Sequence, residues 1–167
     1  MSKAFLSHSS KQKKNFVEIV AKQLGINNCI YDSVTFEEGM KNFEEIMRGM
    51  SNSDLFVIFL SDTALDSKWV QEEIFASYEE LKKGNLKRIF PIIIDNSINH
   101  NDPRIPDWMK DEYNLQFVSR PNVATRRIKQ RLIEISWDYH PRLKEKQNLF
   151  VGRNNIINQF EERIDTF

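Results

Sequence analysis

Apolar positions follow two periods along this chain, and their alternation predicts the fold. The run from Leu55 to Leu60, bounded by Asp54 and Ser61, is continuously apolar and suits a strand buried on both faces, as a central parallel strand is. Lys3 to His8 reads as a first strand, with Ser9 or Ser10 as N-cap of the helix that follows. In that helix Phe16, Val17, Ile19, Val20 and Leu24 recur at helical spacing until Gly25 stops it. Cys29 to Tyr31 is a short second strand. Past a polar loop from Asp32 to Gly39, a second helix carries Phe43, Ile46, Met47 and Met50 on one face. A third helix runs from about Lys68 to Lys83 and ends at Gly84. Arg88 to Ile94 makes a fourth strand, whose Pro91 suits an edge or a bulge better than a centre. Asp95 to Pro106 is a loop, Trp108 and Met109 sit on a short helix, and Leu115 to Val118 is a fifth strand. The last helix, Thr125 to Tyr139, bears Ile128, Leu132, Ile135 and Trp137.

Five strands alternating with helices predict an α/β fold: a flavodoxin-like, doubly wound parallel sheet of order 2-1-3-4-5 with helices on both faces. In such sheets the ligand crevice lies at the carboxyl ends of the strands where the winding reverses, here between the first and third. The loops after Ser7 and after Ser61 are therefore the expected site.

Composition narrows the functional classes. Lysine plus arginine equals aspartate plus glutamate at 24 each, so no global field recruits nucleic acid or an anionic membrane. The most basic stretch, Arg126 to Arg131, reads as a solvated helix face. The single cysteine, Cys29, lies in an apolar stretch and reads as a small buried hydrophobe. No apolar stretch approaches the roughly 18 residues of a membrane span, and the setting expected is reducing and cytoplasmic. His100 and His140 stand apart from each other and from any cysteine, so no metal site is expected.

Four ordered motifs carry a resemblance to a known family. Phe5-Leu6-Ser7-His8-Ser9, Tyr31-Asp32 followed by Gly39, Ser53-Asp54 leading into Val57 to Ser61, and Ser67-Lys68-Trp69-Val70-Gln71-Glu72-Glu73-Ile74 resemble successive elements of Toll/interleukin-1 receptor (TIR) domains. The resemblance covers about residues 3 to 140. It implies an NAD glycohydrolase, since many TIR domains split nicotinamide from NAD with one helical glutamate. By position, four residues after Trp69, that glutamate is Glu73. Val70 and Ile74 stand where many relatives have cysteine and leucine, and neither departure removes a group the chemistry needs. No cofactor is implied, NAD being the substrate. The implied partners are NAD and further TIR domains, bound through contacts that include the loop after the second strand (the BB loop).

Helical geometry separates the two neighbouring carboxylates. At about 100° per residue, Val70, Ile74, Tyr78 and Leu81 form one stripe. Glu73 falls roughly 80 to 90° from its middle, at the border of the buried face, whereas Glu72 falls nearly opposite and is expected in solvent. Left to itself, the pattern fits an ordinary flank residue of an amphipathic helix. The chemistry suits a lone acid. Nicotinamide leaves NAD as a neutral molecule, so no general acid is needed, and a fixed anion stabilises the oxocarbenium-like ribose. ADP-ribose and a cyclic product are both compatible with that route.

Around Glu73 the expected substrate contacts are Ser7, His8, Ser9, Lys11, Phe36, Ser61 and Trp69. Ser7 to Lys11 combine a strand end with a helix start, where backbone N–H groups favour phosphate or ribose oxygens, although Ser9 or Ser10 can equally be a plain cap. Trp69 can wall a ring-binding pocket or pack in the core, and Phe36 can cover the site or meet a neighbouring subunit. His8 beside Ser7 and Ser9 does not make a hydrolase, because no G-x-S-x-G elbow is present.

The chain is expected to divide into a TIR domain over residues 1–140 and, over 141–167, a linker leading into a following domain. Phe150-Val151-Gly152-Arg153 resembles the opening of STAND or AAA-type ATPase modules, and Ile156, Ile157, Phe160 and Ile164 continue in a helical pattern. That arrangement is typical of bacterial antiphage and plant immune proteins. The competing function is a TIR scaffold that binds other TIR domains without chemistry. A receiver-type phosphoacceptor lacks the acidic cluster it would need at the end of the first strand.

Overall fold

The computed structural model describes residues 2–9, 14–31, 43–139 and 155–163. Its elements, in chain order, are β1 (Ala4–Ser7), α1 (Lys14–Leu24), β2 (Cys29–Ile30), α2 (Phe43–Ser51), β3 (Leu55–Leu60), α3 (Asp62–Asp66), α4 (Lys68–Lys83), β4 (Arg88–Ile93), α5 (Asp107–Glu112) and α6 (Pro121–Asp138). All pairings are parallel, in the order β2-β1-β3-β4. β3 is buried at every position, as its unbroken apolar run predicts.

Two apolar layers flank the sheet because side chains alternate along each strand. Ala4 and Leu6 of β1, with Leu55, Val57 and Phe59 of β3, pack against α1 and α6. Phe5 of β1, with Phe56, Ile58 and Leu60 of β3, packs against α3, α4 and α5. Ser7 therefore falls on the α4 side, two residues beyond Phe5. Gly25 and Gly84 end α1 and α4 with φ of 87° and 81°, a left-handed backbone that a side chain disfavours.

The sheet among the described residues has four strands, not the five expected. Residues 115–118 make only an isolated bridge, Ile93 to Phe117, through Ile93 N–H to the Gln116 carbonyl and Val118 N–H to the Ile93 carbonyl. The reason is local. Arg88 and Ile94 donate inward to Asp54 and Leu60 of the β3 side, so alternate residues Ile89, Pro91 and Ile93 face the outer edge. Pro91 has no N–H to give there, and the ladder cannot run back past Ile93. The same proline is harmless to the inner pairing with β3.

Other departures are smaller. α3 was not expected, and α6 begins at Pro121 rather than Thr125, with proline in its first turn. Ile19 is 42% exposed although its spacing suggests core. The basic run is not simply solvated: Arg127 is buried, Arg126 pairs with Glu161 and Arg131 with Glu134. Cys29 is buried with Sγ near the Ala21 and Gly25 carbonyls, and burial pushes its thiol up. Residues 155–163 are helical and bind α6 through Arg126, which donates to Glu161 and Asn158, while Ile156 and Phe160 point outward. The expected linker and the motif at residues 150–153 lie outside the described residues, as do Ser10, Phe36 and Gly39. Among the described residues no helix is long and apolar enough to cross a membrane.

Candidate active site

β1 and α4 bring Ser7 and Glu73, 66 residues apart, into direct contact. Ser7 is held at the carboxyl end of β1 in register with Ile58 of β3, and alternation turns its side chain toward α4. α4 starts sharply because the Ser67 side chain caps it, accepting from Val70 N–H at 3.4 Å. Its buried face comprises Val70, Glu73, Ile74, Ala76, Ser77 and Glu80. Glu73 thus lies inside the buried face rather than at its border. Hydrophobicity misplaces the stripe because Ser77 and Glu80 are buried while Phe75 is 68% exposed. Glu72, expected in solvent, is half-buried.

The Ser7 hydroxyl donates a hydrogen bond to Glu73 Oε2. Glu73 is 1% exposed, and its second oxygen, Oε1, has no hydrogen-bond partner among the described residues. Burial pushes this carboxyl up to about 8, and the Ser7 hydrogen bond opposes only part of that rise. No cation pairs with it in the described ion pairs. Leaving a buried acceptor unsatisfied costs roughly 1–3 kcal/mol, which folding alone gives no reason to retain.

His8 and Ser9 continue from Ser7 and are both buried. His8 Nδ1 lies 3.1 Å from the Ser9 carbonyl, an oxygen that can only accept, so Nδ1 carries the proton. Its ring packs on Tyr31 at 5.1 Å, joining the ends of β1 and β2. Trp69 stands one turn before Glu73 on α4, half-buried against the core on that side. Ser61 is buried and already used: its hydroxyl accepts from Ala64 N–H at 3.1 Å as the N-cap of α3. Lys11 and Phe36 lie outside the described residues.

A wall that the sequence did not announce borders the same strand ends. Arg104, in the loop after β4, binds Asp62, Asp66 and Asp102 and fastens that loop to α3. Its guanidinium holds the Asp102 carboxyl down at about 2. Gln71 of α4 adds a bond to the Arg104 carbonyl, and Asp95 accepts from Asp62 N–H. Charge alternation of Asp62, Asp66, Asp102 and Arg104 is visible in the sequence, but their convergence depends on the turn between β3 and α4. Two open cavities, of about 330 and 460 Å³, lie along the outer edge of β4, and no candidate site residue lines either.

Comparison with known proteins shows the family. Residues 4–133 match the family model described as TIR domain. Over 109 residues the chain is 30% identical to 2' cyclic ADP-D-ribose synthase AbTIR of Acinetobacter baumannii (strain 1295743). That match covers 62% of this chain and 40% of the relative, so the chain spans about two fifths of the relative's length. Among solved structures, the TIR domains of the activated Roq1 resistosome recognizing the pathogen effector XopQ superpose with a TM-score of 0.50 at 23% identity, over 60% of each chain. A likeness at that identity speaks for the fold alone. With a family match spanning residues 4–133 and a parallel sheet ordered β2-β1-β3-β4, this chain belongs to the TIR domain family.

Proposed function

We propose that this protein is an NAD glycohydrolase that cleaves the bond between nicotinamide and ribose, with Glu73 as its catalytic residue. One observation carries the reading: a carboxyl group without a cationic partner among the described residues, buried at the carboxyl ends of β1 and β3 where this sheet winds both ways. The name of the Acinetobacter relative, a cyclic ADP-ribose synthase, supports the same substrate and favours a cyclic product. His8, Ser9 and Lys11 are assigned to phosphate and ribose, Ser61 to the shape of the strand end, and Trp69 and Phe36 to the rings.

The electrostatics set the order of events. With its carboxyl pushed up to about 8, the empty site holds mainly the neutral acid at pH 7. A bound pyridinium is a cation and favours the ionised form, so substrate binding and proton release are linked. The carboxylate then stabilises positive charge on the ribose as neutral nicotinamide departs, and water, the adenine ring or a hydroxyl of the second ribose takes the vacated carbon, an attacking oxygen giving up its proton. At 1% exposure Glu73 cannot meet a dinucleotide until the site opens. We assign that opening to self-association through TIR contacts, including the BB loop, within a cytoplasmic defence protein. On this reading residues 1–140 are the effector domain, and 141–167 lead to an ATP-driven oligomerising module.

The test is nicotinamide release, followed by chromatography with and without forced clustering. Glu73→Gln is expected to lower the rate by at least about 100-fold in the clustered sample, as loss of a charge-stabilising group does. Full activity in this variant removes Glu73 from the mechanism, whereas no activity in clustered wild type removes the enzyme and leaves a TIR scaffold.

A further inference from the structure

We propose that Ser7 is a positioning residue: its hydroxyl fixes Oε2 of Glu73 so that Oε1 is the oxygen presented to the ribose. This inference rests on the NAD-cleaving reading and reassigns Ser7, which sequence alone places among the substrate contacts. The two oxygens of Glu73 differ sharply in their surroundings. Oε2 accepts from Ser7, whereas Oε1 is buried and has no hydrogen-bond partner among the described residues. A serine hydroxyl has a single proton, and here it is committed to Glu73, so it has none to give a ribose oxygen.

The backbone under Ser7 is well suited to such a task. β1 lies between β2 and β3, and Ser7 itself is in register with Ile58, so the hydroxyl is carried on a strand that both neighbours hold in place. Its side chain is fully buried, and the α4 helix that carries Glu73 is capped at Ser67 and closed at Gly84. A glutamate on such a helix still has three side-chain torsions to fix. One hydrogen bond to a rigid strand removes most of that freedom, which is what a group acting on a transition state requires. It also favours the ionised carboxyl, the form that the chemistry uses.

The experiment compares wild type, Ser7→Ala and Ser7→Thr in the clustered full chain, recording kcat and KM for NAD across pH. A second readout needs no substrate: titration of the carboxyl carbons by 13C NMR in glutamate-labelled protein, with Glu73→Gln identifying the resonance. Ser7→Ala is expected to lower kcat about 10- to 100-fold, the effect of losing a charge-assisted hydrogen bond, while KM changes little. The acid limb of its pH profile and the Glu73 titration should both move to higher pH. Ser7→Thr, which restores a hydroxyl on a residue suited to strands, should recover most of the lost rate. A raised KM with kcat and the acid limb unchanged makes Ser7 a substrate contact and overturns the proposal. So does a threonine variant as impaired as alanine, which points to packing. Absence of nicotinamide release by wild type overturns the NAD-cleaving reading, whereas an unmoved carboxyl titration in Ser7→Ala overturns the Ser7 contact by itself.

Discussion

Three of the described glutamates are buried, Glu73 and Glu80 on α4 and Glu134 on α6, and of these Glu73 and Glu134, on opposite sides of the sheet, are kept in opposite ways. Glu134, on α6, is 4% exposed and receives Arg88 at 2.6 Å, Arg131 at 3.0 and 3.1 Å, and the Gln130 amide at 3.2 Å. Glu73, on α4, is 1% exposed and among the described residues receives only the Ser7 hydroxyl. The first carboxylate is an ordinary buried ion pair, with its charge answered by two guanidinium groups, Arg88, which ties α6 to β4, and Arg131 of α6 itself. The second is a buried acid whose charge is answered by nothing within the described fold. A protein that can satisfy a carboxylate so fully at one place has left another unsatisfied at the carboxyl ends of its central strands. That contrast, more than burial itself, supports the proposal that Glu73 acts in the site.

The sharpest way to break the comparison is pH. Burial pushes the Glu73 carboxyl from its ordinary value up to about 8 in the folded protein, so between those values the native state holds a proton that the unfolded chain has lost. Stability therefore declines as pH rises through this window, by up to about 1.4 kcal/mol per pH unit. Glu73→Gln should remove that decline. Urea melts of both proteins at several values across the window measure it, and parallel slopes would show that Glu73 is not the group responsible.

Glu134→Ala should act on the fold and spare the chemistry. It leaves Arg88 and Arg131 facing a buried gap, at a cost of about 2–3 kcal/mol once their one-third exposure is discounted. Nicotinamide release per folded molecule should stay at the wild-type rate. If denaturant midpoints hold and activity falls instead, the roles given to the two glutamates are reversed.

The mildest change is Arg88→Ala. Arg131 still holds Glu134, so thermal or urea unfolding should register a loss of only about 1 kcal/mol. A loss near that of Glu134→Ala would make Arg88 the principal partner rather than one of two.

The sequence reading of the two regions differs as much as their chemistry. On the α4 side, Leu55 to Leu60 and the helix from Lys68 to Gly84 follow the expected boundaries, because each signal is local: an unbroken apolar run, a capping serine, a glycine at the end. Glu73 is legible as a candidate through the TIR resemblance, and through its angle on the helix only roughly, since Ser77 and Glu80 replace apolar residues in the buried face. Its contact with Ser7 is not legible, because it depends on which face of β1 meets α4. On the β4 side the expectations fare worse. Residues 115–118 have the composition of a strand but find no donor at Pro91, and the basic run on α6 turns inward to Glu134 and Glu161.

By itself the sequence determined the alternation of β1 to β4 with α1, α2 and α4, the family and the glutamate to examine, since periodicity, caps and short motifs are properties of neighbouring residues. Only the tertiary structure decided that the sheet stops at a single bridge beyond β4, that Glu73 touches Ser7, and that among the described residues one buried carboxylate has cations while the other has none. Hydrogen-bond partners and desolvation come from whatever packs on the far side of a residue. In this protein that partner stands dozens of positions away along the chain.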